Sequence, residues 1–186
     1  MTPQQYREFV HYQFVSKSGI NFLNCDEDKM KAVYLEMLNN AQNEFRIFAG
    51  TLACDVTKSS EFIETLSDYI ERGGKLYILL NNYNEETVLH SQLFKRLAYY
   101  KSQKKDIFVK KSFDHPYIAT QEGHKDVHFA LGDMISYRVE TDITKRTAIC
   151  NMNNPEKTKE FAVFFDDLFK KPENTDIDLV KLFKLQ

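Results

Sequence analysis

Apolar residues along this chain follow two rhythms, a spacing near 3.6 residues and short unbroken runs, and the alternation between them predicts the architecture. Within residues 3–17, Tyr6, Phe9, Val10 and Phe14 fall at helical spacing and Ser18-Gly19 closes the segment. This predicts a short amphipathic helix able to cap the domain or a partner. From Asp26 to Asn43 a second stripe carries Met30, Val33, Tyr34, Met37, Leu38 and Ala41, with Asp26, Glu27 and Asp28 at the end where the helix dipole favours acids. The rhythm then changes. Residues 45–52 are a β-prone run, a helix from about Ser60 to Arg72 turns Phe62, Ile63, Leu66, Tyr69 and Ile70 inward, and Gly73-Gly74 stops it. Lys75–Leu80 is a short apolar run of the kind buried in parallel sheets. Strand, helix, glycine stop and strand make a βαβ unit. A helix from about Glu86 to Lys101 and a strand from Asp106 to Lys110 make a second.

An irregular stretch from Lys111 to Lys125 follows, then strands at 127–131 and 134–140 joined by Gly132-Asp133, a tight hairpin. A strand at 146–150 precedes Asn154-Pro155, a cap and first-turn proline for a helix whose broad apolar face holds Phe161, Ala162, Phe164, Phe165, Leu168 and Phe169. The expected class is α/β, a mixed, centrally parallel sheet flanked by helices on both faces. The expected organisation is an N-terminal helical extension over 1–25, one α/β domain over 26–171 and a tail over 172–186.

Composition agrees with a compact protein: 186 residues suit one domain with a sizeable core. Apolar residues make up 42% of the chain and Gly and Pro are scarce, which excludes disordered and fibrous classes. A net charge of -2 means that any contact with nucleic acid or an acidic membrane must come from a local patch. Cys25, Cys54 and Cys150 are odd in number and far apart, so they are expected as reduced thiols. With no secretory leader and no 18-residue apolar stretch, the expectation is a cytoplasmic protein without a membrane span.

The candidate chemistry centres on Val127-His128-Phe129-Ala130-Leu131-Gly132-Asp133, a strand with a histidine in apolar company. Ahead of it, Ala41 to Phe48 and Ile70 to Leu80 present a helix ending in Ala, a strand, and an Arg-Gly turn into the next strand. Behind it stands Cys150-Asn151-Met152-Asn153. In order and spacing these segments, over about residues 28–171, resemble the phospholipase D-like superfamily, in which a strand carries His, then Lys two residues on and Asp five beyond that. The resemblance implies that His128 stands at the position of the nucleophile that attacks phosphorus and that Asn153 stands at the Asn of the second element. It also implies that Ala130 and Ile135 occupy the Lys and Asp positions, with Asp133 the nearest carboxylate. Cleaving a phosphodiester needs a placed cation and proton donor to offset developing charge, and losing one such partner costs about 10²- to 10³-fold in rate.

Each candidate also has a plain reading. His128 suits a hydrogen-bonded core histidine, Asp133 a turn residue satisfying backbone amides, and Lys125, Lys145 and Arg146 solvated charges, although any of these three could supply the missing cation. Lys95, Arg96, Lys101, Lys104, Lys105, Lys110 and Lys111, interleaved with Tyr99, Tyr100 and Phe108, form the densest basic stretch and suit phosphate contact with base stacking. Of these, Lys104, Lys105, Lys110 and Lys111 are expected to bind the ligand. His115, His124, Asp126 and His128 lie close in sequence but run from loop into strand, so neither a metal nor a cofactor is expected. The leading expectation is a catalytically degenerate module for binding or assembly on nucleic acid or another phosphate-bearing ligand. Because the resemblance implies that two copies build one site, a homodimer is expected. The alternatives are a homodimeric phosphodiesterase or nuclease using His128, and a protein-interaction domain that uses its N-terminal or Phe-rich C-terminal helix.

Overall fold

The computed structural model describes residues 1–121 and 123–185 and is built on one eight-stranded sheet. The chain opens with α1 (Pro3–Val15), whose Thr2 and Gln5 exchange capping hydrogen bonds. Then come β1 (Phe22–Asn24), α2 (Glu27–Asn40) capped by Asp26, and β2 (Glu44–Ala49). The first crossover passes through α3 (Asp55–Lys58) and α4 (Ser60–Glu71) to β3 (Lys75–Leu80). The second passes through α5 (Glu85–Leu89) and α6 (Gln92–Ser102) to β4 (Ile107–Lys111). Strands β5 (Tyr117–Thr120) and β6 (Gly123–Asp126) make a separate hairpin. Three antiparallel strands follow, β7 (His128–Gly132), β8 (Ser136–Asp142) and β9 (Thr147–Asn151), and then α7 (Pro155–Lys170), β10 (Thr175–Asp176) and α8 (Leu179–Leu182).

The strand order is β1-β9-β8-β7-β2-β3-β4-β10. Only β2, β3 and β4 are parallel, and they form the centre, as the two βαβ units require. Residues on one face of the sheet, including Phe45, Ile47, Ile78 and Ala130, pack against α2, α4 and α6. Phe48, Leu79, Phe129, Leu131 and Tyr137 on the other face pack against Phe165 and Leu168 of α7. Burying this many large side chains on both faces supplies the main driving force for folding.

Four features depart from the sequence expectation. The helix expected over 86–101 is divided at His90-Ser91, where Ser91 caps α6 by accepting from the Phe94 amide. The stretch expected to be irregular contains the β5–β6 hairpin. Residues 1–25 contribute β1, which pairs with β9, and they bury Tyr6 and Val10 in the main core. The tail contributes β10, which pairs with β4, and is described up to residue 185.

Candidate functional site

Counting outward from the β7–β8 turn places His128 directly opposite Glu140. The turn itself is sharp, with Asp133 and Met134 both in the left-handed region at φ 51° and 62°. His128 Nδ1 lies 3.4 Å from Glu140 Oε2, while Arg138, two residues earlier on the same face, donates to Glu140 Oε1 at 3.1 Å. Arg146 approaches the same oxygen at 3.8 Å. Glu140 and Arg138 are buried, with side chains 2% and 1% exposed, while His128 keeps 16% of its side chain open. Burial alone would raise the Glu140 carboxyl, but the hydrogen bond from His128 and the charge and hydrogen bond of Arg138 outweigh it and hold the group below the ordinary glutamate range.

Arg138 also donates from Nε to Asn24 Oδ1 at 2.9 Å and lies 5.5 Å from the Tyr34 ring centroid. The Asn24 amide in turn donates to the Arg146 carbonyl at 2.7 Å, which fixes the turn where Arg146 adopts φ 55°. One strand from the N-terminal segment therefore anchors both arginines.

His128 and Glu140 open into a cavity of about 210 Å³. Its walls are the loop from Gly50 to Cys54, Asn82, Tyr34 and Arg146. The loop follows β2 and Asn82 follows β3, so the cavity lies at the carboxyl ends of parallel strands, the end where open α/β sheets bind ligands. Gly50 is held close: a Cβ there would lie 3.4 Å from His128 Cε1. With Nδ1 directed at Glu140, the other ring nitrogen, Nε2, is on the Gly50 side of the ring. Arg138, Arg146 and Glu140 together carry one net positive charge, which suits an anion.

No protein-family model matches the chain, and no curated protein matches it. Solved structures do. Nuc from Salmonella typhimurium, a phospholipase D family member, is 12% identical with a TM-score of 0.58, over 85% of this chain and 99% of that one. NucT from Helicobacter pylori matches with the same TM-score and coverage at 10% identity. The chain has the phospholipase D fold. TrmBL2, an archaeal chromatin protein, is similar over 94% of this chain and 63% of its own at 15% identity, with a TM-score of 0.62.

Within the phospholipase D fold the candidate residues separate into groups. His128 and Arg146 share the cavity. Lys125 and Lys145 line an adjoining depression, with Ile143 common to both, and the Lys145 ammonium lies 3.9 Å from Asp142. Asp133 and Asn153 are elsewhere. Asp133 lies five residues along β7 from His128, roughly 16 Å at strand spacing. There its carboxylate accepts from the amides of Gln42, Asn43 and Glu44. Asn153 lies beyond the same far end, five residues past Ala148, the residue in the Glu140 row, and donates to the Lys17 carbonyl at 3.0 Å. Ala130 is 0% exposed and faces Arg138 across the hairpin, so its position is sealed and already adjoined by a guanidinium.

The basic stretch lies on the other side of the sheet centre, around β4. Lys110 donates to the Phe169 carbonyl at 3.0 Å, and Lys105 donates to the Glu71 carbonyl at 3.4 Å. Lys111 stands 4.7 Å from the Phe113 ring centroid, and Lys104 is exposed with φ 60°. These four do not join His128. Glu140, the partner of His128, was absent from the sequence candidates and is not reached by counting from a two-residue Gly132-Asp133 turn, which would set Tyr137 opposite His128; the turn spans residues 133–135 and Gly132 itself pairs with Ser136.

Proposed function

We propose that this domain binds a phosphate group at the His128 cavity without cleaving its ester, and so serves as a binding or assembly module for nucleic acid or another phosphate-bearing ligand. One observation carries the reading: His128, Arg146 and Asn82 face an open cavity, while Ala130, at the Lys position, is fully buried beside Arg138. The anion is held by His128 and the Arg146 guanidinium, with the Asn82 amide as a neutral donor, and Glu140 orients the imidazole. The family's reaction also needs a cation on the phosphoryl oxygens, and Arg138 is turned into the interior toward Glu140 and Asn24. The similarity to TrmBL2, a chromatin protein described by its mode of DNA binding, supports a nucleic-acid ligand. Unpaired Cys25, Cys54 and Cys150 support a cytoplasmic setting. Among the described residues no helix is long and apolar enough to cross a membrane. The module pairs with a second copy, so light scattering at micromolar concentration should report about twice 21.9 kDa.

The test is an NMR titration of the imidazole resonances with inorganic phosphate and with a dinucleotide. A saturable shift of His128, lost in Arg146→Gln, is the expected result, and an unmoved His128 would end the reading. A second reading, a dimeric phosphodiesterase, is favoured by the His128–Glu140 pair. Turnover decides between the two.

A further inference from the structure

Three helices converge on a second, larger cleft. Lys95, Arg96 and Tyr99 fall on one face of α6, Ile63 and Glu64 on α4, and Lys58 ends α3; together they line a cleft of about 530 Å³, well within the size of small-molecule sites. Three cations face one carboxylate there, in a chain whose net charge is -2. No hydrogen bond or ion pair holds the Lys95 or Arg96 side chain among the described residues. The contrast is with the rest of the basic stretch, where Lys101 stands 4.5 Å from the Phe108 ring centroid and Lys105 and Lys110 donate to backbone carbonyls. Among the described residues Lys58 pairs with Asp55 alone, at 3.9 Å. Beside these cations the Tyr99 ring is 50% exposed, packed edge-on against Tyr100 at 5.4 Å between centroids.

We infer that this cleft binds single-stranded nucleic acid, with the Tyr99 ring stacking a base and Lys95, Arg96 and Lys58 contacting the flanking phosphates. An exposed aromatic face beside unengaged cations is the combination that holds unpaired strands with little sequence preference, because every base offers a π-face and every linkage a charge. A duplex keeps its bases stacked on one another and cannot use Tyr99. Helix α3 adjoins both sites, with Cys54 at its start in the His128 cavity and Lys58 at its end in the cleft. A strand lying across α3 would reach both. The inference rests on the phosphate-binding reading of the domain and deepens it by naming the ligand, but it uses different residues.

The experiment is fluorescence anisotropy of the full chain with a labelled 12-nucleotide thymidine strand, a duplex of the same length and a mononucleotide, over 50 to 200 mM salt. Wild type should bind the strand more tightly than either control. Tyr99→Ala should weaken binding about tenfold and Tyr99→Phe should restore it, since stacking needs the ring and not the hydroxyl. Lys95→Gln/Arg96→Gln should lower the slope of log affinity against log salt by about 1.4, two single-strand phosphate contacts. All three side chains are exposed, and circular dichroism confirms that the variants fold. Strand binding unmoved by these substitutions, tighter duplex or mononucleotide binding, or no strand binding at all overturns the inference. In each of those cases the phosphate response of His128, measured separately, shows whether the parent reading stands.

Discussion

Glu140 is the residue whose removal the structure describes most fully. Its carboxylate is buried between His128, Arg138 and Arg146, and Arg138, 1% exposed, has Asn24 as its other hydrogen-bonding partner. Glu140→Ala leaves a buried guanidinium half satisfied, a change that typically costs about 3–5 kcal/mol. Glu140→Gln keeps an acceptor for Arg138 and loses only the charge, for about 1.5–3 kcal/mol. For a chain of this length, the alanine variant should melt roughly 6–20 °C lower than wild type. The folded-state pKa of Glu140 lies below the ordinary glutamate value of 4.5, so its contribution is fully present above that value and is lost as pH falls through the folded pKa. Urea unfolding across pH 7 to 3.5 should therefore show the gap between wild type and Glu140→Gln narrowing below about pH 4.5. A gap under about 1 kcal/mol at pH 7, or one that stays constant with pH, would refute the buried charge cluster.

Further outcomes follow from the same geometry. Ala130→Lys should restore no hydrolysis and should destabilise the fold by about 3 kcal/mol or more, because it puts a second cation beside buried Arg138; a calorimetric melt and a phosphodiesterase assay check both halves. Asp133→Ala should cost about 2 kcal/mol in chemical unfolding, since three backbone amides lose a charged acceptor, and should leave ligand binding unchanged. Alkylation of the native protein near pH 8 should modify exposed Cys25 quickly and leave Cys150 intact until unfolding, because burial pushes the Cys150 thiol up to about 12. Rapid modification of Cys150 would mean that the Asn24–Arg138 interior is open to water.

The parallel centre of the sheet was legible because Lys75–Leu80 is an unbroken apolar run after a Gly-Gly stop, and both βαβ units announce themselves this way. Strand β1 was not, because three residues carry no period and Phe22–Asn24 is a strand only through its pairing with β9. The β5–β6 hairpin hid for a similar reason, its strands being four residues each and outside the core. The site was half legible. His128 stood out by its neighbours, whereas Glu140 and Arg138 acquire meaning only once β7 and β8 are in register. Lys58 joins Lys95 and Arg96 across 37 residues of chain, a convergence that no local pattern encodes.

The central proposal is that the His128 cavity holds phosphate and does not break its ester. The most direct measurement is release of p-nitrophenol from bis-p-nitrophenyl phosphate by purified wild type and by His128→Ala, without added metal. No turnover above background is expected in either form, with His128→Ala folded as wild type. Clear wild-type turnover abolished by His128→Ala would contradict it and establish the dimeric phosphodiesterase instead.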